Sequence, residues 1–223
     1  MTELDNRDDY DAELAALMAG ILDSQYTDIL DLLGDPPDLS KVTAGFWEQE
    51  TENIIEVLEP FFETAFIARA EQSILELDVE LDIDAITNRA ANAARRHVYQ
   101  LAGDIGESSQ RLLREAVSSY FEQSMTIGEL SDMLVRTFGP VRAEIISVTE
   151  VTRAASAGVH EVANQLRELG SQVEEIWHTV FDELVCNICE PLNGKPVERN
   201  QEQPAHPRCR CSRSIQVTEF ETV

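Results

Sequence analysis

Apolar residues over the first thirty-odd positions recur at helical spacing, through Leu14, Leu17, Met18, Ile21, Ile29 and Leu32. The pattern predicts an amphipathic helix over roughly Asp9 to Leu33, stopped by Gly34 and the Pro36-Pro37 pair. From Thr43 to about Leu77 the period returns through Phe46, Ile54, Leu58, Phe61, Phe62, Phe66 and Ile67. Pro60 interrupts it and predicts either one kinked helix or the start of a second. Asp84 to Leu101 and Ser108 to Ser124 predict two further helices. Thr126 followed by Glu129 has the spacing of a capping box opening another, which Gly139 and Pro140 end.

The clearest seam lies beyond that point. Val141, Ile145, Val148, Ala155, Val159, Val162, Leu166 and Leu169 fall at alternating steps of three and four, with Thr152 in the one polar slot. One long helix over 140–169, ended by Gly170, is the expectation. The texture then changes. Val173 to Val180 alternates and is β-prone, Asn193-Gly194 is a hairpin-turn signal, and prolines crowd Pro196 to Pro207. The fold class is therefore mainly α: a helical body with one long helix, followed by a small β-rich C-terminal module of zinc type.

What makes that module a zinc type is its donor set. All four cysteines lie within 26 positions, as Cys186-x2-Cys189, then sixteen residues, then His206-x2-Cys209-x-Cys211. A two-residue spacer turns both ligands of a knuckle toward one ion, and two knuckles supply four corners of a tetrahedron. Cys186/Cys189 and His206/Cys209 fit directly. Cys211 is a fifth donor for four seats and can replace His206 or Cys209, since residues two apart on a strand share a face. A closed four-ligand site stabilises a segment too small to bury a core, whereas a catalytic zinc leaves a corner open, so the role expected of the ion is structural. Two disulfides in any of three pairings, or free thiols, are the alternatives.

Charge narrows the choice of partner. The formal net charge is -25 at pH 7, which repels nucleic-acid phosphate and argues against direct wrapping of DNA by the body. Only Lys41 and Lys195 are lysines among 17 basic residues. Acid excess with scarce lysine suits concentrated salt, where screening removes self-repulsion, and points to a halophilic host over an ordinary acidic protein. Met1 to Asp35 carries ten acids against one arginine, whereas Glu183 to Arg213 carries four acids against five bases. The acidic start and the near-neutral tip are expected to meet different partners. The N-terminus has no signal-peptide pattern and no apolar run has the length of a membrane span, so synthesis in the cytoplasm and a soluble chain are expected.

Enzyme signatures are missing: there is no HExxH, no GxxxxGK[ST] and no GxSxG. The zinc-deaminase pattern needs His-x-Glu upstream of Pro-Cys-x-x-Cys, and here the order is reversed and the glutamate lacking. His160 and Glu161 read as surface positions on the long helix, His97 beside Arg95 and Arg96 as a solvated face, and His178 as a strand residue facing water. No catalytic and no organic-cofactor residues are assigned.

Three ordered blocks carry a resemblance. They are Thr149-Glu150-x-x-Arg153-Ala154 with Gly158; Trp177-x-Thr179-x-x-Asp182-x-x-Cys186-x-x-Cys189-x-x-Leu192-x-Gly194; and His206-Pro207-x-Cys209-Arg210-Cys211. With them, Thr126 to Val217 resembles the head morphogenesis domain of tailed viruses, the minor head proteins related to the F protein of phage Mu. The resemblance implies a division into an acidic helical region, 1–125, and a head morphogenesis domain, 126–223, made of the long helix 140–169 and a Cys/His β module over 171–217. It implies that Cys186, Cys189, His206, Cys209 and Cys211 form the metal-type module. It also places Glu150 and Arg153 at the family's TExxR positions, either as an exposed intrahelical ion pair or with Arg153 bridging the helix to the module. Such proteins join the portal vertex during head assembly. The implied partners are the portal protein and other head proteins, with packaged DNA indirectly, no membrane, and an oligomer at the vertex as a possibility. The implied location is inside the virion head, after synthesis in the host cytoplasm. The competing reading is a cellular zinc-ribbon adaptor that recruits a nucleic-acid enzyme, favoured by Arg199, Arg208, Arg210 and Arg213 but lacking aromatic stacking residues near the knuckles.

Overall fold

A computed structural model describes residues 6–77, 81–180, 185–198, 201 and 203–219. Five α-helices, α1 (Arg7–Leu33), α2 (Ala44–Leu77), α3 (Ile83–Gln123), α4 (Ile127–Phe138) and α5 (Pro140–Glu168), precede two strands, β1 (Gln172–His178) and β2 (Ser212–Glu219). The mainly helical architecture with a small C-terminal sheet is the fold class the apolar pattern predicts.

Local signals set most boundaries. Gly34 adopts φ +72° directly after α1, a left-handed value that ends the helix at little cost without a Cβ. The Thr126 hydroxyl accepts from the Glu129 N–H while the Glu129 carboxylate accepts from the Thr126 N–H, so the capping box forms as expected. Pro140 is the first residue of α5, where its missing N–H has no intrahelical role. Pro60 lies inside α2 on its exposed side, and a single helix runs through it. Solvent can serve the carbonyl the proline leaves unpaired.

The two helices expected over 84–101 and 108–124 are instead one, α3, of 41 residues. Gly103 and Gly106 lie between the two expected stretches, and Leu101, Ala102, Ile105, Ser109 and Leu113 keep the buried stripe continuous through them. A Cβ on Gly106 would sit 3.6 Å from Thr51 Oγ1, so that glycine lies against α2. α2 and α3 run antiparallel, with Arg95 bonded to Glu59 and Glu63 further along the pair.

α5 occupies the centre, packed against α1, α2, α3, α4 and both strands. Small residues allow it: Ala143, Ser147, Ala154, Ala155, Ser156 and Gly158 are all buried. A Cβ on Gly158 would meet Phe66 O at 2.8 Å and Arg69 Cβ at 3.1 Å, so α2 and α5 are in backbone contact there. The expected seam therefore describes only part of α5. Val141 and Leu169 at its ends are exposed, and burial spreads around the helix between them. One apolar cluster joins Leu14, Phe62 and Val98 to Val151 and Leu166. Packing does not break at the expected division between 125 and 126.

In the module, β1 pairs antiparallel with β2, Trp177 opposite Arg213. Asn193-Gly194 does not join these two strands. Gly194, at φ +72°, turns the chain so that 194–197 pairs with the other edge of β1. There Gly194 N donates to Trp177 O at 2.8 Å, Trp177 N to Lys195 O at 2.9 Å and Val197 N to Glu175 O at 2.7 Å.

Candidate metal centre

Two turns carry the donors. After Cys186 the chain curls so that Cys189 N and Glu190 N both donate to Cys186 O, at 3.1 and 2.9 Å, and Cys189 N also points at Cys186 Sγ, 3.4 Å away. The second turn repeats the device, with Cys209 N donating to His206 O at 3.1 Å. Backbone N–H groups aimed at sulfur favour thiolate, the form a metal requires.

The side chains converge. His206 Nε2 lies 3.1 Å from Cys186 Sγ and 3.3 Å from Cys189 Sγ, and Cys189 Sγ lies 3.8 Å from Cys209 Sγ. Cys186, Cys189 and His206 form one set with ligand atoms within 4.8 Å of each other, and Cys189, Cys209 and Cys211 form a second. Cys189 belongs to both. All four thiols are free, and the 3.8 Å approach is almost twice the ~2.05 Å of a disulfide. Sulfurs sharing one zinc at about 2.3 Å each stand about 3.8 Å apart, so the spacing suits ligands around an ion. The Cys/His cluster is thus able to bind a metal, and the alternative of two disulfides is not formed.

Electrostatics divide the cluster. The hydrogen bond from Cys211, helped by the backbone N–H of Cys211, pulls Cys209 down to about 5 despite its burial. The same bond pushes Cys211 up, as burial also does. Burial and the charge at Cys209 push Cys189 up to about 12. Cys186 is lowered, chiefly by the Cys189 N–H. His206 is raised, first by its bond to Pro207 O, which Nδ1 reaches at 2.7 Å. That bond leaves Nε2 facing the sulfurs. Thiolate repulsion at this density is relieved by a bound cation, which would hold several of these thiols deprotonated together.

The cluster has a built platform. Trp177 is fully buried against Cys189, Cys209 and Cys211, and Leu192 and Val197 pack on the same group. The second knuckle is fastened to two helices. Thr152 donates to Cys209 O at 2.5 Å, Thr149 Oγ1 accepts from Arg208 N at 2.9 Å, and Arg7 of α1 donates to Arg210 O at 3.1 Å and to Thr152 Oγ1. Thr152, the polar residue in the apolar seam, is there for this contact. Ion pairs Arg208–Glu144 at 3.3 Å and Arg210–Asp8 at 3.2 Å ring it.

The remaining expected positions fall differently. Glu150 and Arg153 do pair, 3.3 Å apart, but Glu150 is buried, and His97 Nε2 of α3 lies 3.0 Å from the same carboxylate oxygen. The pair is therefore not an exposed one, and the partner that Glu150 gains is α3. His97 is no solvated face: its ring sits edge-on to Phe62, centroids 4.8 Å apart, and 5.8 Å from Phe66. His178 is half-buried, bonded to Ser214 Oγ at 2.8 Å, and burial lowers its pKa. His160 is on the surface, as expected, yet its Nδ1 meets Glu175 at 2.9 Å. Glu161 is half-buried beside Arg96. Asp182 and Arg199 lie outside the described residues.

Glu175 was not singled out in the sequence. It is buried on the face of β1 that carries Trp177, and its carboxylate meets His160, Arg167 at 3.0 Å and Arg213 at 2.6 Å. Burial would raise its pKa, but the His160 and Arg213 contacts hold it down at about 2. Its signal was a glutamate two residues from a buried tryptophan on an alternating strand.

No family model, no curated protein and no solved structure matches this chain.

Proposed function

We propose that the chain is a structural minor head protein of a tailed virus, acting at the portal vertex in head assembly and genome packaging or release, and that a single zinc ion closes its C-terminal module. The observation carrying the reading is the union of two of the resembling blocks in one joint. Thr149 on α5 holds the backbone of Arg208 in the second knuckle, beside the donors Cys186, Cys189, His206 and Cys209. Four or five soft donors leave no open corner, so the ion's work is mechanical: it fixes the module that too few apolar residues would hold. The acid excess suits a host with concentrated salt.

The proposal puts the chain inside the head in a few copies, partnered by the portal protein and other head proteins, with no reaction of its own. Mass spectrometry of purified virions together with native metal analysis tests it. The expected result is the intact chain in DNA-filled heads with one zinc per copy. Its absence from heads that are otherwise complete would refute the location, and a chain in heads without metal would refute the zinc.

A further inference from the structure

A cleft of about 860 Å³ opens between α3, α5 and the C-terminal module, and none of the cysteines lines it. Its volume falls in the range of small-molecule sites, about 300–1,000 Å³. Three arginines, Arg153, Arg167 and Arg213, line it against two glutamates, Glu175 and Glu198, in a protein whose net charge is -25. Arg153, His160 and Arg167 repeat every seven residues along α5, which sets them in one row down the wall.

The two ends of that row differ. At the Arg167 end one carboxylate, Glu175, holds Arg167, His160 and Arg213 together. At the other end the cation lining the cleft is Arg153. The Arg153 side chain is 38 % exposed and spends one nitrogen on Glu150, which His97 also approaches. The cleft wall also holds donors without acceptors. Gln203 is 5 % exposed and gives its oxygen to Arg213 Nε, while its Nε2 has no partner; Ser156 is 3 % exposed and its Oγ has none. Gln100 adds a further amide to the wall. Buried donors left unpaired are destabilising, so an acceptor arriving there gains what the free protein lacks.

We infer that this cleft binds a small oxyanion, a phosphate or carboxylate group carried by a small molecule, through the Arg153 guanidinium, the Gln203 and Gln100 amides and the Ser156 hydroxyl. A guanidinium flanked by amide and hydroxyl donors matches planar or tetrahedral oxyanions. The site is independent of the viral assignment and of the metal.

Titration of the isotope-labelled, metal-loaded full chain with inorganic phosphate and, separately, with citrate tests this at low ionic strength. Saturable shifts of the Gln203 and Gln100 side-chain amide signals with either probe are the expected result, and the probe that binds tighter identifies the charged group. Arg153→Gln should weaken binding about tenfold or more. Because that change also leaves Glu150 short of a partner, Ala157→Glu serves as the second variant. It adds a carboxylate at a half-buried position lining the cleft, breaks no existing bond and should weaken binding comparably with folding intact. The inference is overturned if neither anion gives saturable shifts, if Ala157→Glu binds as the parent does, or if only a single-stranded oligothymidylate binds, which would make the cleft a nucleic-acid groove.

Discussion

Glu175 carries more electrostatic weight than any other described carboxylate near the module, because two guanidinium groups and the His160 imidazole converge on it in a buried position. Its pKa falls from 4.5 to about 2 on folding, despite the burial that opposes this. A lowered carboxylate contributes stability that is present above its unfolded pKa and is lost as pH falls through the folded one. Glu175→Gln should therefore cost about 3 kcal/mol at neutral pH. The gap to the parent should shrink between pH 4.5 and about 2, measured by urea unfolding at several pH values. A constant gap across that window would assign the loss to packing rather than charge. Among the cysteines, Cys189 is the one shared by both donor sets, so Cys189→Ser should lower metal content further than Cys211→Ser, read by elemental analysis of the purified chains. At this scale the sequence identified all five donors, because soft ligands at knuckle spacing have few other uses. It did not identify the roles of His97 and Glu175. Each is a polar residue whose burial depends on a partner from a distant element, α3 meeting α5 in one case and β1 meeting β2 in the other.

Elements were legible where their ends are written in local chemistry. Gly34, the Thr126–Glu129 box and Pro140 each fix a boundary through their own backbone, and the expected boundaries fall within two residues of those observed. Glycine inside a helix is different, since only the neighbouring helix decides whether it breaks the element or permits a close approach. Gly103 does neither, whereas Gly158 permits a close approach. Nothing lies within 4 Å of a Cβ built on Gly103, whereas one on Gly158 collides with the α2 backbone. Gly103→Ala should raise stability by about 0.5–1 kcal/mol, by lowering the entropy of the unfolded chain. Gly158→Ala should lower it by about 1–3 kcal/mol, because α2 and α5 must separate to admit the methyl group. Thermal unfolding of the two variants beside the parent would reveal opposite signs. A loss at both sites would mean that α3 needs its glycine for a bend, and no loss at Gly158 that the α2–α5 contact is soft. The Asn193-Gly194 turn was legible as a turn but not in its pairing, since a turn signal says nothing about which edge of β1 receives the chain.

Across the whole molecule the metal centre is not an appendage. Its second knuckle is bonded to Thr149 and Thr152 of the central helix and to Arg7 at the start of α1, and Arg69 of α2 donates to Arg213 O in β2. An ion that binds only the folded state stabilises everything that unfolds with it. Removing it should therefore lower the melting temperature of the entire chain. A loss of about 3 kcal/mol corresponds to about 6–12 °C for a protein of this length. Far-ultraviolet circular dichroism below the transition should stay helical, because the five helices share a core that excludes the thiols. Trp177 reports the local event, being fully buried against three of the cysteines. Its emission should shift on chelation in the parent and be silent in Trp177→Phe, where only Trp47 of α2 remains. Two separate melting transitions after chelation would show a module uncoupled from the helices. Ionic strength acts on the same equilibrium by another route. A net charge of -25 repels itself most in the compact state, and about 1 M salt shortens the screening length to about 3 Å, so added salt should raise the melting temperature of the metal-loaded and chelated chain alike. A fall with added salt would instead mean that screening of attractive ion pairs, such as Arg208–Glu144 and Arg210–Asp8, outweighs the relief of the net charge.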